Sequence, residues 1–529
     1  METLTNVNDL LSSHSALDIW CLDRIYLNAY VPNLQVPGQV TMFMRNHLKF
    51  PIPSPAIMEK IGNKFRGAVK EYAESNGIPI IHFKKKDRQI DVMKPYFKKV
   101  TSEKVVAIGV SQEFQSVFTG TKSTKLNSGW VFNFQKADRR VTVYYFYIFD
   151  KEFGPSFIKI CSYFPYPAKV WLNGHEWAKI QATKANIEFS ALSNGFKASS
   201  DPLKLQQICN KLNDKHIQSY FNHWINVIPT PLTSCDQKAG YWWELSMRQI
   251  EVSRTIVFTR EIYTREVFES IVENNLGIGR PDEVKFIFNR RIRTDTKSEF
   301  KTRVVTRGTD VTINFFYKHS RVKEYLKDSK ALRIETVINS PDDIGVQRRL
   351  KNLPELVKKA TLINDRLTLA QSVSQSCPIE TSQWERISQP SFEEGQRTAA
   401  IRFGDKRVMA LAGALCVALN TVFGFTNKSL CALVEKLLDK PYSTSQMTYD
   451  LRKLRLKGMI IKLEKSNKYT LTENGLRFAV TYTKLANRLL PQLLATNQFK
   501  PEHELSQAYK VIETAIDNFI KDARIKPAA

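Results

Sequence analysis

Three carboxylates stand out because each falls in an otherwise apolar run. Asp150 closes Val141–Phe149, Glu251 sits within Leu245-Ser-Met-Arg-Gln-Ile-Glu-Val-Ser253, and Glu335 lies inside Leu332-Arg-Ile-Glu-Thr-Val-Ile338. A charge on a strand must either face water or meet a partner. Strand-borne carboxylates that converge can hold Mg²⁺ or Mn²⁺ for phosphodiester cleavage, each metal stabilising the attacking or the leaving oxygen. Asp150, Glu251 and Glu335 are therefore the candidate metal ligands, with His175 as a candidate acid–base group. The plainer account pairs Glu335 with Arg333 or Lys318 across a solvent-facing ladder. His175 belongs to a block dense in functional groups, Phe164-Pro-Tyr-Pro-Ala-Lys-Val-Trp-Leu-Asn-Gly-His-Glu-Trp-Ala-Lys179. It is not an HExxH motif, because Lys179 occupies the second histidine position, and a zincin is excluded. Its plainer reading has Asn173 capping a helix and His175 bonding a backbone group.

The second chemical signal is cationic. The 529 residues carry 78 Lys+Arg against 52 Asp+Glu, a formal charge of +26, spread over a folding chain. Residues 45–104 hold 14 Lys+Arg against 6 Asp+Glu, including the turn Lys84, Lys85, Lys86 and Arg88. Residues 280–333 hold 15 Lys+Arg, among them Arg290, Arg291, Arg293, Lys318 and Arg321, interleaved with aromatics. Bases alternating with aromatics suit phosphates and unstacked nucleobases together, although such runs also occur as plain solvated faces. The expected partner is a nucleic acid, above all double-stranded DNA.

Other classes are excluded. No GxGxxG, GxxxxGK[ST] or GxSxG appears, which removes the usual small-molecule enzymology. Seven cysteines form no CxxC pair, so a zinc knuckle and a disulfide framework are not expected. The longest apolar runs are far too short to span a bilayer, and Met1–Ala16 has no signal-peptide pattern. A cytoplasmic, nucleoid-associated location without membrane attachment is the expectation. Aromatics at 11% rule out disorder for most of the chain.

These residues need elements to hold them. Residues 1–104 read as a basic, mostly helical region, with helical spacing at Ile57, Ile61, Phe65, Val69 and Tyr72 after a Pro-rich break. Residues 105–345 alternate short apolar runs with helical stretches and read as a mixed α/β core. Within it, Val141–Phe149 and Phe157–Phe164 form a hairpin, and Val311–Tyr317 and Ala331–Ile338 are strands. Residues 346–404 read as a helical connector, and 405–529 as a separate C-terminal domain. The fold class expected is α+β.

The C-terminal segment is the most specific. Helices are expected over Val408–Leu419 and Lys428–Leu438, then a turn with Ser443 or Thr444 as cap. A third helix, Ser445–Lys457, puts Met447, Leu451 and Leu454 on one face and ends at Gly458. Met459–Leu463 and Tyr469–Thr472 follow as a hairpin. This order resembles the winged helix-turn-helix. The resemblance implies that Gln446, Arg452, Lys453, Arg455 and Lys457 lie on or beside a groove-reading helix, with Lys462, Lys465 and Lys468 along phosphates. Winged helices also serve as protein-interaction modules.

Two further resemblances cover the core. Phe316-Tyr-Lys-His…Ala331-Leu-Arg-Ile-Glu-Thr resembles the Tyr-x-Lys…Arg-x-Glu hairpin of some rolling-circle replication initiators. In those enzymes a tyrosine attacks a phosphate and a His-x-His pair holds the metal. Here Tyr317 or Tyr325 would be the nucleophile, but His175 and His319 are isolated. Met44–Pro55, Asp150–Pro155, the block 164–179, Lys318–Asn339 and Tyr449–Met459 together resemble a family of long, uncharacterised bacterial proteins. That likeness runs from about residue 44 to 490 and implies a bacterial intracellular origin, with no activity to transfer. The expected function is a DNA-binding protein with a basic α/β core, acting as a metal-dependent nuclease, replication initiator or transposase-like factor of a mobile element. The alternative is a non-catalytic winged-helix transcription regulator or nucleic-acid-binding scaffold.

Overall fold

The run Ser15–Tyr30 alternates buried and part-exposed side chains over most of its length and forms strand β1, 16 residues long. A period of two is what a strand with two different faces requires. The computed structural model describes residues 7–485 apart from 85–86, 99, 127–128, 279–282, 285–298, 308–309, 329, 376–380 and 465, with a few positions between 507 and 518. The chain divides into two compact units, Met1–Gln375 and Ser376–Ala529. The boundary falls inside the stretch expected to be a helical connector.

In the first unit the remaining strands are β2 (Ile80–His82), β3 (Lys104–Leu126), β4 (Gly129–Asp150), β5 (Gly154–Cys161), β6 (Ala168–Asn173), β7 (Phe189–Leu192), β8 (Gly195–Ser199), β9 (Glu244–Phe258), β10 (Glu283–Val284), β11 (Glu299–Arg307), β12 (Asp310–Lys318), β13 (Ser320–Lys327) and β14 (Ala331–Ile338). Its helices are α1 (Val7–His14), α2 (Pro37–Met42), α3 (Pro55–Ser75), α4 (Gln89–Phe97), α5 (Gly174–Lys184), α6 (Pro202–Lys211), α7 (Asp214–Val227), α8 (Ser234–Lys238), α9 (Glu261–Ile278) and α10 (Leu353–Gln375). Twelve strands make one sheet in the order β10-β11-β12-β13-β14-β9-β1-β6-β5-β4-β3-β2, with β7 and β8 a separate hairpin. Pairing is antiparallel except for β10 with β11 and β2 with β3. The N-terminal region, expected to be mostly helical, thus supplies a strand from the middle of the sheet.

Partners across an antiparallel ladder share a face, so register sorts the side chains. One face is packed by helices: Phe65 of α3 meets Tyr144 edge-on at 5.6 Å, and Asn364 of α10 accepts from Thr336 (2.6 Å) while donating to the Val252 carbonyl (3.1 Å). The other face carries Tyr26, Arg24, Glu251, Glu335 and Lys323, as the pairings Arg24 with Glu251, Glu335 with Ser253 and Lys323 with Glu335 require. The register of β1 against β9 slips between Leu22 and Arg24, which inserts Asp23 as an extra residue. Such a bulge re-aims side chains, and here it lets Asp23 and Arg24 both serve this face.

The second unit contains α11 (Thr381–Ser388), β15 (Ser391–Glu393), β16 (Gln396–Thr398), α12 (Lys406–Leu415), α13 (Ala418–Phe423), β17 (Phe425–Thr426), α14 (Asn427–Leu438), α15 (Thr444–Leu456), β18 (Ile460–Lys462), β19 (Lys468–Leu471) and α16 (Glu473–Lys484). Three strands pair in the order β17-β19-β18. Ser443 caps α15 in a reciprocal box with Gln446, and Gly458, at φ 71°, ends that helical turn in the left-handed region. Met447, Leu451 and Leu454 are buried, as their shared face requires. Among the described residues no helix is long and apolar enough to cross a membrane.

Helix α5 starts against β1 at a contact that only glycine admits. A Cβ on Gly174 would lie 1.8 Å from the Leu22 carbonyl oxygen. Gly174→Ala is expected to destabilise the first unit by about 1–3 kcal/mol, the usual cost of overpacking, read as a lower denaturation midpoint in urea.

Candidate functional site

Among the described residues a dense polar cluster is buried where α5 begins, on the face of β1, β9, β14 and β13 that carries Arg24, Glu251 and Glu335. At its centre Arg333, fully buried, donates through Nη2 to Asp23 (2.5 Å), through Nε to Glu335 (2.6 Å) and through Nη1 to the Thr255 hydroxyl (3.0 Å). Glu335 also accepts from Lys323 Nζ (2.6 Å) and from the Tyr325 hydroxyl (2.8 Å). Burial works against the Arg333 charge, but Asp23 and Glu335 outweigh it and hold the guanidinium protonated. Burial likewise opposes ionisation of Glu335, yet Lys323 and Arg333 hold its carboxyl well below the usual range. Bonds of this charge-assisted kind are the strong ones.

His175 closes the cluster from α5. Asn173 caps that helix, accepting from the His175 and Glu176 amides (2.9 and 3.3 Å), as the plainer sequence reading had it. The ring meets side chains, however: Nε2 lies 3.3 Å from Arg333 Nη2, 3.3 Å from Ser253 Oγ and 3.4 Å from Asp23 Oδ1, and Nδ1 is buried with no partner. Burial, aided by Arg333 and Lys179 and opposed by Asp23 and Glu335, lowers its pKa to about 4. A neutral imidazole results, seated as a core residue beside the guanidinium.

The three expected metal ligands do not converge. Asp150 lies on the helix-packed face at the end of β4, since it alternates with Tyr147 and Phe149, three strands beyond β1. Its carboxylate accepts from the Glu152 and Phe153 amides (2.8 Å each) and from Trp224 Nε1 (2.8 Å), which makes it a turn-forming residue. Glu251 and Glu335 do share a face, but each is already compensated, Glu251 by Arg24 at 3.3 Å. Burial raises the Glu251 pKa, against the pull of Arg24 and Lys323. Counting Arg24, Arg321, Lys323 and Arg333 against Asp23, Glu251 and Glu335, the cluster is cationic, whereas a divalent ion needs uncompensated oxygens. Among the described residues no group of three or more His, Cys, Asp or Glu could hold a metal ion.

The tyrosines are not poised as nucleophiles either. Burial and the Glu335 carboxylate push the Tyr325 pKa far above that of free tyrosine, and burial raises Tyr317 as well. Arg321 is mostly buried beside Glu251 and Glu335, and desolvation lowers its pKa. Lys318, at φ 54°, forms the β12–β13 turn and lies 5.5 Å from the Tyr317 ring centroid. Arg290, Arg291, Arg293, Lys85, Lys86 and Lys465 lie outside the described residues. Lys84 and Arg88 are exposed in the turn before α4.

Further along the same face the polar cluster gives way to a cleft that the sequence reading missed. Tyr26, Trp171, Phe157 and Tyr147 follow one another across β1, β6, β5 and β4 by register, with Tyr145 beside Tyr147. Trp171 and Phe157 are parallel at 5.8 Å, and Tyr145 and Tyr147 at 5.9 Å. Helix α4 roofs them with Met93 and Phe97 and leaves a cavity of about 660 Å³. Arg24 lines this cavity and also pairs with Glu251, so cleft and cluster are contiguous. Beside Tyr145 on the same face, Lys159 is buried and held by Glu113 at 2.5 Å. The legible signal was the period of two in Tyr145 and Tyr147, which places both rings on one side.

In the second unit the cations expected to touch DNA are largely engaged within the unit. Lys457 is buried, donating to the Arg386 and Gln389 carbonyls (2.6 and 2.9 Å) and to Ser391 Oγ (3.1 Å). This corrects its reading as a DNA-contacting cation on or beside the groove-reading helix. Lys453 donates to the Ala400 carbonyl (2.6 Å), Arg455 reaches Glu394 at 3.5 Å, and the exposed Arg452 donates to Gln396. Gln446 is exposed but spends its side-chain oxygen on the Ser443 amide (2.8 Å). Lys462 is exposed and Lys468 half-buried. A polar pocket of about 600 Å³ beside α15 is lined by Arg397, Arg402, Lys453, Tyr449 and Asp405, among others. Comparison with protein-family models, curated proteins and solved structures finds no match for this chain.

Two outcomes follow for the cluster. Arg333→Met strands buried Asp23 without its cation and leaves Glu335 only Lys323 and Tyr325, and it is expected to cost about 3–5 kcal/mol in urea unfolding. For His175 the folded pKa lies below the unfolded value near 6.5, so only the unfolded state gains a proton between about pH 6.5 and pH 4. Stability therefore falls on acidification, by about 2 kcal/mol between pH 6.5 and pH 5. His175→Asn is expected to flatten that part of the profile.

Proposed function

We propose that this chain is a DNA-binding protein that docks on duplex DNA through its second unit, read as a winged helix-turn-helix domain. The observation that carries the reading is topological. Helix α12, the short helix α13, strand β17, helices α14 and α15 and the β18–β19 hairpin follow in that order, with the sheet arranged β17-β19-β18. That leaves the N-terminal half of α15 presenting Thr448, Gln446 and Tyr449 to solvent, next to the Arg397, Arg402 and Lys453 pocket. Amide, hydroxyl and aromatic groups on a helix of about 13 residues suit base edges in a major groove. The exposed Arg397, Arg402 and Lys462 suit backbone phosphates, and the +26 chain supplies long-range attraction.

For the first unit this reading is binding, without metal-dependent cleavage, because the cluster's carboxylates are matched by arginine and lysine. It favours a regulator or scaffold over a nuclease, acting on the bacterial nucleoid. Purified full-length protein should bind duplex DNA with an affinity that falls steeply with salt. Arg402→Glu and Lys462→Glu should each lower the slope of log affinity against log salt by about one, with thermal midpoints unchanged. Duplex affinity that is absent, or indifferent to both substitutions, would overturn the reading. So would cleavage of DNA by the protein with Mg²⁺ or Mn²⁺, for its non-catalytic part.

A further inference from the structure

The aromatic cleft under α4 lies in the first unit, and the duplex-binding reading gives it no role. An apolar floor alone would be ordinary core, and Met93 with Tyr145 and Tyr147 does belong to a buried cluster. Three observations point further. The cavity, about 660 Å³, lies within the range of ligand pockets, roughly 300–1,000 Å³. Its rim is cationic, with Arg24, Lys94 and Lys98 lining it, and Lys84 and Arg88 in the turn that leads into α4. Lys94 is paired with Asp91 at 3.1 Å, both exposed, so that pair is weak enough to yield to a phosphate. Finally, the Tyr147 hydroxyl is buried without a partner although Tyr147 lines the cavity, and an unmatched buried hydroxyl costs free energy that a ligand group could recover.

We infer that this cleft receives unstacked bases of a single-stranded nucleic acid. Trp171 and Phe157 offer flat faces for stacking, Gln249 offers an amide for base edges, and the rim cations meet the phosphates between bases. A purely apolar ligand would leave the rim charges unused. Duplex DNA cannot enter, since its bases are stacked and paired. The inference shares with the preceding section only the premise of a nucleic-acid partner, and it rests on a different unit.

The test uses the full chain and a fluorescent oligothymidylate of about 16 nucleotides, within the footprint of such clefts. Trp171→Ala is expected to weaken binding about 5- to 150-fold, the effect of losing one stacked base. Lys94→Glu with Lys98→Glu should reduce its salt slope by about two. Both should leave duplex affinity unchanged, which separates this failure from failure of the duplex reading. Should Trp171→Ala fail to fold, photo-crosslinking of the unaltered protein to an iodouracil-substituted strand decides, with adducts expected on Tyr26, Tyr147, Phe157 or Trp171. Folded variants with unchanged single-strand affinity, adducts confined elsewhere, or thymidine monophosphate competing as well per molecule as the strand would each overturn the proposal.

Discussion

A guanidinium shut away from water stays charged only where acids meet it, and Arg333 meets two. That requirement organises the first unit. Asp23 reaches it because β1 carries a bulge, Glu335 because it is two residues along the same strand, and His175 because α5 begins against the Leu22 carbonyl. Removing any one of these leaves a buried charge or a void. The paired charges tie together β1, β9, β14, β13 and α5, and buried ion networks of this kind raise the cost of any other packing.

How much of this was legible depended on the distance between partners. Ala331–Ile338 read correctly as a strand, and the alternatives posed for Glu335 included Arg333, its actual neighbour. The reading placed that pair on a solvent face, because nothing local shows that Asp23, 310 residues away, completes the burial. β1 went unread as a strand for the same reason. Asp18, Asp23 and Arg24 break its apolar pattern, and their partners Arg254, Arg333 and Glu251 lie more than two hundred residues downstream. Register and bulges have no signature in a single strand's composition.

The second unit was more legible because its determinants are local. The cap at Ser443, the buried face of α15 and the Gly458 stop all act within a few residues. What misled was Lys457, since the carbonyls that consume its ammonium carry no side-chain identity at all. Side-chain charge at the end of a helix says that a cation is present and leaves open whether it faces a phosphate or a backbone oxygen.

The central position of β1 also bears on how the chain is made. Arg24 pairs with Asn173 on one side and Glu251 on the other. During synthesis at about 5–20 residues per second, roughly 10–45 s separate the emergence of β1 from that of β9. Through that interval a 16-residue strand has an unmatched edge, and its ionic partners do not yet exist. Only when β14 has emerged can Arg333 meet Asp23 and be shut away from water.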